Sequence, residues 1–188
     1  GGVAYVSNQK GNVTSIDLNM TLPPEVVTTD PAQLVVYSAE FNLCTTCHQV
    51  DLAVAYAKMA DNATCLVFTG WRFEPQFRQI VEAVGFTIKG SLVWAKPNHG
   101  AGDLEGAFAP QHERILHAVK GNPKLQHRAS DVLYGKGPRS SDHPHEKPRD
   151  LLQQLIEATT APGDTVVDPF FGSGATLITA SELGRDVF

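Results

Sequence analysis

The stretch Asp164-Thr165-Val166-Val167-Asp168-Pro169-Phe170-Phe171-Gly172-Ser173-Gly174-Ala175-Thr176 holds the residues with the clearest chemical potential. An apolar strand runs into an acid, then a glycine-rich turn, then a helix. That order places a nucleoside cofactor at the C-terminal edge of a parallel sheet. Gly172 and Gly174 permit positive φ and close approach of backbone to a ligand. The helix that follows offers unpaired amides and a partial positive charge, which suit the carboxylate of an amino-acid moiety. Asp168 is placed to accept from the matching ammonium. The turn is neither a dinucleotide fingerprint, lacking the third glycine, nor a phosphate loop, lacking Gly-Lys-Ser/Thr.

A second chemical pattern is Cys44-Thr45-Thr46-Cys47-His48, which fits haem attachment. A haem would need a second axial ligand and a pocket, and zinc would need a further paired motif. Neither is found, so no metal is expected and the thiols read as a loop and helix start. Three cysteines make no disulfide framework, and a reducing compartment fits.

These groups need elements to hold them. Strands are expected at Glu25–Thr29, Cys65–Thr69, Thr87–Trp94, Ile115–Val119 and Thr165–Val167. Helices are expected at Gln49–Ala60, Glu74–Val84, Arg149–Thr160 and Ala175–Leu183. Alternation of this kind predicts an α/β fold with a mostly parallel sheet. Leu151, Leu152, Leu155 and Ile156 give the third helix one apolar face. The segment 96–142 is rich in Gly, Pro, Ser, His and Asn and reads as long loops around one strand. Gly184 to Phe188 read as the start of a further strand, leaving the sheet incomplete at the C-terminus.

The 188 residues are 42% hydrophobic and 19% charged, enough for one core, so residues 1–188 are expected to form a single domain. No apolar run is long enough to span a membrane, and the N-terminus does not read as a secretory signal. A cytoplasmic location in a bacterial or phage-infected cell is expected. Net charge is −5, which argues against unspecific nucleic-acid binding. Lys120 to Arg149 is locally basic, however, with Lys124, Arg128, Lys136, Arg139 and Lys147 between.

His143-Pro144-His145-Glu146-Lys147-Pro148, a leucine-rich helix, Ala161-Pro162-Gly163-Asp164 and the glycine turn follow one another at a characteristic separation. Together they closely resemble the bacterial and phage DNA adenine-N6 and cytosine-N4 methyltransferases. The resemblance is strong from Asp142 to Leu183. It implies a Rossmann-like fold with helices on both faces of the sheet and S-adenosylmethionine as cofactor. Lys147, Pro148, Asp168, Phe170, Gly172, Ser173, Gly174 and Thr176 would line the cofactor pocket. DNA would be the partner, its target base flipped out or single-stranded. A homodimer or a separate recognition partner would supply what the roughly twenty residues between Gly121 and Asp142 cannot, and otherwise site recognition is expected to be short or relaxed.

Family members accept the target amine on an Asp/Asn/Ser-Pro-Pro-aromatic tetrapeptide after a strand. In the subgroup with a C-terminal cofactor turn, this motif is N-terminal. Asp30-Pro31-Ala32-Gln33 follows the first expected strand and matches in its acid and first proline, so Asp30 and Pro31 are the expected catalytic residues, with adenine N6 as target. It departs from the pattern at Ala32 and Gln33. Loss of the stacking ring costs about 1–3 kcal/mol, and Tyr37 and Phe41 are the nearby substitutes. That departure keeps two alternatives open: a catalytically silent relative that binds nucleic acid or protein, and an RNA base methyltransferase. Motif order counts against the latter. Weaker matches run through Leu66–Thr69, Val93–Lys96 and His112–Gly121, where His112 and Glu113 read either as facing the active cleft or, preferred, as a hydrogen-bonded surface pair.

Overall fold

The computed structural model describes residues 3–7, 13–17, 31–39, 45–100, 103–136, 146–170 and 172–188. In chain order the elements are β1 (Val3–Ser7), β2 (Val13–Asp17), β3 (Ala32–Ser38), α1 (Thr45–Lys58), β4 (Met59–Thr69), α2 (Glu74–Val84) and β5 (Thr87–Ala95). They continue with β6 (His112–Lys120), β7 (Val132–Tyr134), α3 (Arg149–Thr159), β8 (Thr165–Val167), α4 (Ala175–Glu182) and β9 (Asp186–Val187). β1 and β2 form a separate antiparallel pair.

The main sheet has seven strands in the order β7-β5-β6-β4-β3-β8-β9. β3 pairs in parallel with β4 and with β8, and β8 with β9. β6 alone runs against its neighbours β4 and β5. β3 is central because Leu34, Val35, Val36 and Tyr37 are apolar at every position and buried on both faces, as a strand covered by helices on two sides must be. Val35 and Tyr37 pack with Leu52 of α1 and Phe77, Ile80 and Val81 of α2. Leu34 and Val36 face Leu151, Leu152, Leu155 and Ile156 of α3 and Ala175 and Ala180 of α4. Each such fully buried side chain contributes about 1.5–3 kcal/mol. The fold is thus α/β with helices on both faces, as expected.

β8 and α2 match their expected bounds, and α1, α3, α4, β4, β5 and β6 begin or end within a few residues of them or extend beyond. The expected strand Glu25–Thr29 lies outside the described residues. Four strands among the described residues were not anticipated: β1, β2, β3 and β7. β7 lies within the segment read as loop, and β3 follows Pro31 directly.

Two cations close the ends of helices. Lys120 Nζ donates to the carbonyls of Tyr56 and Met59 at the C-terminus of α1, at 3.1 and 2.8 Å, and satisfies acceptors a helix end leaves open. The buried Arg185 guanidinium donates to Thr160 Oγ1 at 3.1 Å, to Thr160 O at 2.7 Å and to Leu183 O. It ties the end of α3 to the start of β9. Arg185→Ala strands the buried Thr160 acceptors and is expected to lower unfolding free energy by about 1–3 kcal/mol in urea titration.

Candidate functional site

The site is built where β8, β3, β4 and β5 deliver their C-terminal ends and β6 its start. β8 ends at Val167, and Asp168 follows, its amide held by Phe188 O at 3.2 Å. Asp168 Oδ1 accepts from Phe170 N at 2.9 Å. Burial lifts the Asp168 carboxyl above the ordinary carboxylate range, against the opposing pull of the Thr176 hydroxyl, the Phe170 amide and the Lys147 cation. Gly172 and Gly174 have φ of +50° and +76°, the left-handed region that favours glycine. Gly174 is the N-cap of α4 and no side-chain cap completes that helix end. Ser173 Oγ accepts weakly from Ala175 N at 3.4 Å. Thr176 is buried and Phe170 exposed. Phe171 lies outside the described residues.

Lys147 and Pro148 lead into α3, where Leu152 N donates to Pro148 O at 3.0 Å. Pro148 is the N-cap of that helix. The Lys147 ammonium is buried, 5.1 Å from the Phe68 ring centroid and 5.7 Å from that of Trp94. Its Nζ lies 3.4 Å from Glu113 Oε2, and Lys96 holds the other carboxylate oxygen. Of the two readings of His112 and Glu113, the sequence prefers a surface pair to a place in the cleft. Instead His112 is exposed and Glu113 turns inward, because the pairing of Trp94 with Glu113 across β5 and β6 sets it beside the lysines. The Trp94 indole N–H is buried with no hydrogen-bond partner among the described residues. Such an orphan donor is costly unless a ligand or water meets it.

The end of β3 completes the edge. Ser38 pairs in register with Phe68, and Ala39 N donates to Phe68 O at 3.0 Å. Tyr37 is fully buried. Its hydroxyl shares a hydrogen bond of 2.8 Å with His48 Nδ1 and lies 3.5 Å from Asp51 Oδ2. Its ring meets Phe170 edge-on, with centroids 4.8 Å apart at 86°. His48, from the cysteine motif, is thus committed to the core beside Phe77. Cys44 lies outside the described residues.

Of the expected site residues, Lys147, Pro148, Asp168, Phe170, Gly172, Ser173, Gly174 and Thr176 sit on segments that converge on this edge. Pro31 does not. It precedes the first residue of β3, and β3 runs parallel to β8. Pro31 therefore stands at the opposite edge of the sheet, about 20 Å from the glycine turn at ~3.3 Å per strand residue. Asp30 lies outside the described residues. Residues not anticipated here are Ser38 and Trp94. The signal for Ser38 was available in Leu34-Val35-Val36-Tyr37, an apolar run followed by Ser38-Ala39-Glu40-Phe41.

Comparison with known proteins identifies the family and the fold. A family model described as DNA methylase, for the N6/N4 type, matches residues 41–188. The protein named "Putative methylase YubD" of Escherichia coli (strain K12) is 36% identical over 131 residues, 69% of this chain and 56% of that protein. Type II methyltransferase M2.DpnII of Streptococcus pneumoniae is 32% identical over 124 residues, 56% of this chain and 46% of its own length. The chain thus spans about half the length of the curated relatives it matches. Among solved structures, the M1.HpyAVI–SAM complex superposes with a TM-score of 0.70 at 23% identity, over 84% of this chain and 80% of that one. The PvuII cytosine-N4-specific DNA methyltransferase gives 0.68 at 19%, over 84% and 73%. At these identities the two structures speak for the fold.

Proposed function

The chain belongs to the N6/N4 DNA methylase family, and from that premise we propose that it transfers a methyl group from S-adenosylmethionine to an exocyclic amine of a DNA base. The observation that carries this is the meeting of the Asp168–Gly174 turn with the end of β3 on one edge of the sheet.

The residues present fit the cofactor. Asp168 offers a half-buried carboxylate to an ammonium, and the uncapped start of α4 offers amides to a carboxylate. Lys147, Pro148, Phe170, Gly172, Ser173, Gly174 and Thr176 would complete the pocket. When bound, the cofactor supplies an electrophilic methyl on a sulfonium. The protein's task is then to orient the amine, whose lone pair is delocalised into the ring, and to keep water out. We place that task at the C-terminal end of β3, on Ser38-Ala39-Glu40-Phe41, in place of Asp30-Pro31. Ser38 Oγ and the Ala39 carbonyl would accept from the NH₂ group. Ser38 Oγ and the Ala39 carbonyl would thus hold the amine in line for transfer, and the proton it sheds would leave to solvent. Glu40 and Phe41 lie outside the described residues; by sequence Phe41 takes the aromatic position.

An acid at the first position of the tetrapeptide leans toward adenine N6, as expected from Asp30, and a serine such as Ser38 toward cytosine N4. Nucleoside mass spectrometry of methylated DNA separates the two. Ser38→Ala should lower methyl incorporation about 10- to 100-fold at unchanged cofactor affinity, because it removes an acceptor used by the amine alone. Tritium transfer from labelled cofactor measures the first and calorimetry the second. Equal loss in both would move Ser38 out of the amine site.

One observation favours a second reading, that of a cofactor-binding but silent protein. Ala39-Glu40 replaces the proline pair, so the accepting carbonyl is less rigidly held. Absence of tritium transfer to any unmethylated DNA, with cofactor binding intact, would select it. With few residues between Gly121 and Asp142, the proposal includes short-site recognition or a recognition element supplied by a second copy or another protein. A sequencing assay that finds strict dependence on a six-base site would count against the former.

A further inference from the structure

The chain leaves β4 at Thr69 and turns through Gly70-Trp71-Arg72-Phe73 into α2. Phe73 N and Glu74 N both donate to Gly70 O, at 3.0 and 3.1 Å, and a proline occupies the first turn of the helix. Glu74 is itself clamped by Arg78 at 3.0 Å and Arg114 at 2.9 Å. The backbone beneath Trp71 is therefore fixed on both sides. Yet Trp71 keeps 55% of its surface exposed, and Phe73 beside it 41%. The Arg72 guanidinium carbon lies 5.4 Å from the Trp71 ring centroid.

Folding gives an indole no reason to remain this open, since burial of its ring is favourable. The position supplies a reason. Phe68 lies beside Ser38 in the pairing of β3 with β4, so Trp71 stands three residues beyond the strand position that adjoins the proposed amine site. DNA cannot present an exocyclic amine to that edge while stacked, and a base that leaves the stack needs a new apolar face. A tryptophan with a cation over its ring provides one, and the cation also suits a neighbouring phosphate. On a chain of net charge −5, such a local cation at the mouth of the site is the complement DNA requires.

We propose that Trp71 and Arg72 form a stacking platform for an unpaired DNA base at the rim of the transfer site. This rests on the DNA methyl-transfer assignment above. The platform binds DNA and takes no part in bond making.

The test is titration of the full chain, saturated with S-adenosylhomocysteine, with a labelled single-stranded unmethylated oligonucleotide. Anisotropy gives affinity, and indole emission reports on Trp71, the other tryptophan, Trp94, being buried. Wild type should show quenching. Trp71→Ala should lose the quenching and bind about 10- to 100-fold more weakly, and Trp71→Phe should recover most of the affinity. Arg72→Ala, which leaves the indole in place, should reduce the slope of log affinity against log salt by about one. Quenching that persists in Trp71→Ala, affinity unchanged in it, an unchanged salt slope in Arg72→Ala, or tighter binding of RNA of the same sequence would each overturn the platform. Wild type that binds S-adenosylhomocysteine and methylates DNA while Trp71→Ala does both equally well would remove the platform alone. Wild type that fails to bind or methylate DNA would remove the assignment of function with it.

Discussion

Asp168→Asn should weaken binding of S-adenosylhomocysteine by about 30- to 1,000-fold in isothermal titration calorimetry. The Asp168 carboxyl is half-buried at the mouth of β8, held in place by the Phe170 amide and the Thr176 hydroxyl. Asparagine keeps its shape but not its charge. The ligand's ammonium would then be desolvated against a neutral amide, and losing one partner of a buried charge pair costs about 2–4 kcal/mol, the stated factor. The pH dependence has a definite sign. Burial raises the pKa of Asp168 in the unliganded protein above the ordinary carboxylate value, so the protonated form is favoured there. Without ligand, the stability this group contributes is complete at acid pH, below the unfolded pKa, and is lost as pH climbs through the raised value. Ammonium binding needs the charged form. Affinity should therefore be full above the raised pKa and fall as pH descends through it, with a proton released on binding inside that window. Asp168→Asn should show no such slope. A wild-type affinity that is flat across the same interval, or that rises toward acid, would separate Asp168 from the ligand's amine.

Phe68→Ala should lower the unfolding free energy by about 3–5 kcal/mol, read from the urea midpoint. Phe68 is fully buried and packs among Leu34, Trp94, Ile115, Leu151 and Leu152. Truncation removes the ring's transfer energy and leaves a cavity between two closely packed layers. The same ring lies under the Lys147 ammonium. Phe68→Leu fills most of the space and should cost about 1–1.5 kcal/mol, but it deletes the aromatic face from beneath a buried cation. Cofactor affinity should then fall several-fold in Phe68→Leu, more than its small loss of stability alone would produce. If Phe68→Leu binds S-adenosylhomocysteine as wild type does, the ring serves packing only.

The turn proposed to hold the cofactor was legible because its causes are local. Asp168, Gly172 and Gly174 are required by the backbone they themselves form: a strand end, two left-handed residues and a helix start within ten positions. The amphipathic spacing of α3, with Leu151, Leu152, Leu155 and Ile156 on one side, likewise declares the face that meets the sheet. These signals are complete within one stretch of chain, so a sequence can state them without knowing its neighbours.

The proposed acceptor of the amine was not legible in that way. An acid followed by proline at Asp30-Pro31 matched the first half of a motif more closely than Ser38-Ala39 did, and chemistry read residue by residue preferred it. Strand pairing reversed the preference. Val35 sits beside Val167 across β3 and β8, which carries Ser38 to the edge where Asp168 emerges and leaves Pro31 at the far one. Glu113 and Trp94 joined the site by the antiparallel register of β5 with β6, a partnership between segments about twenty residues apart. The sequence thus determined the strand–turn–helix backbone proposed to cradle the cofactor, since local sterics and periodicity suffice for that. Only the tertiary structure decided which side chains face it, because direction and register in a sheet are set by hydrogen bonds to strands distant in the chain.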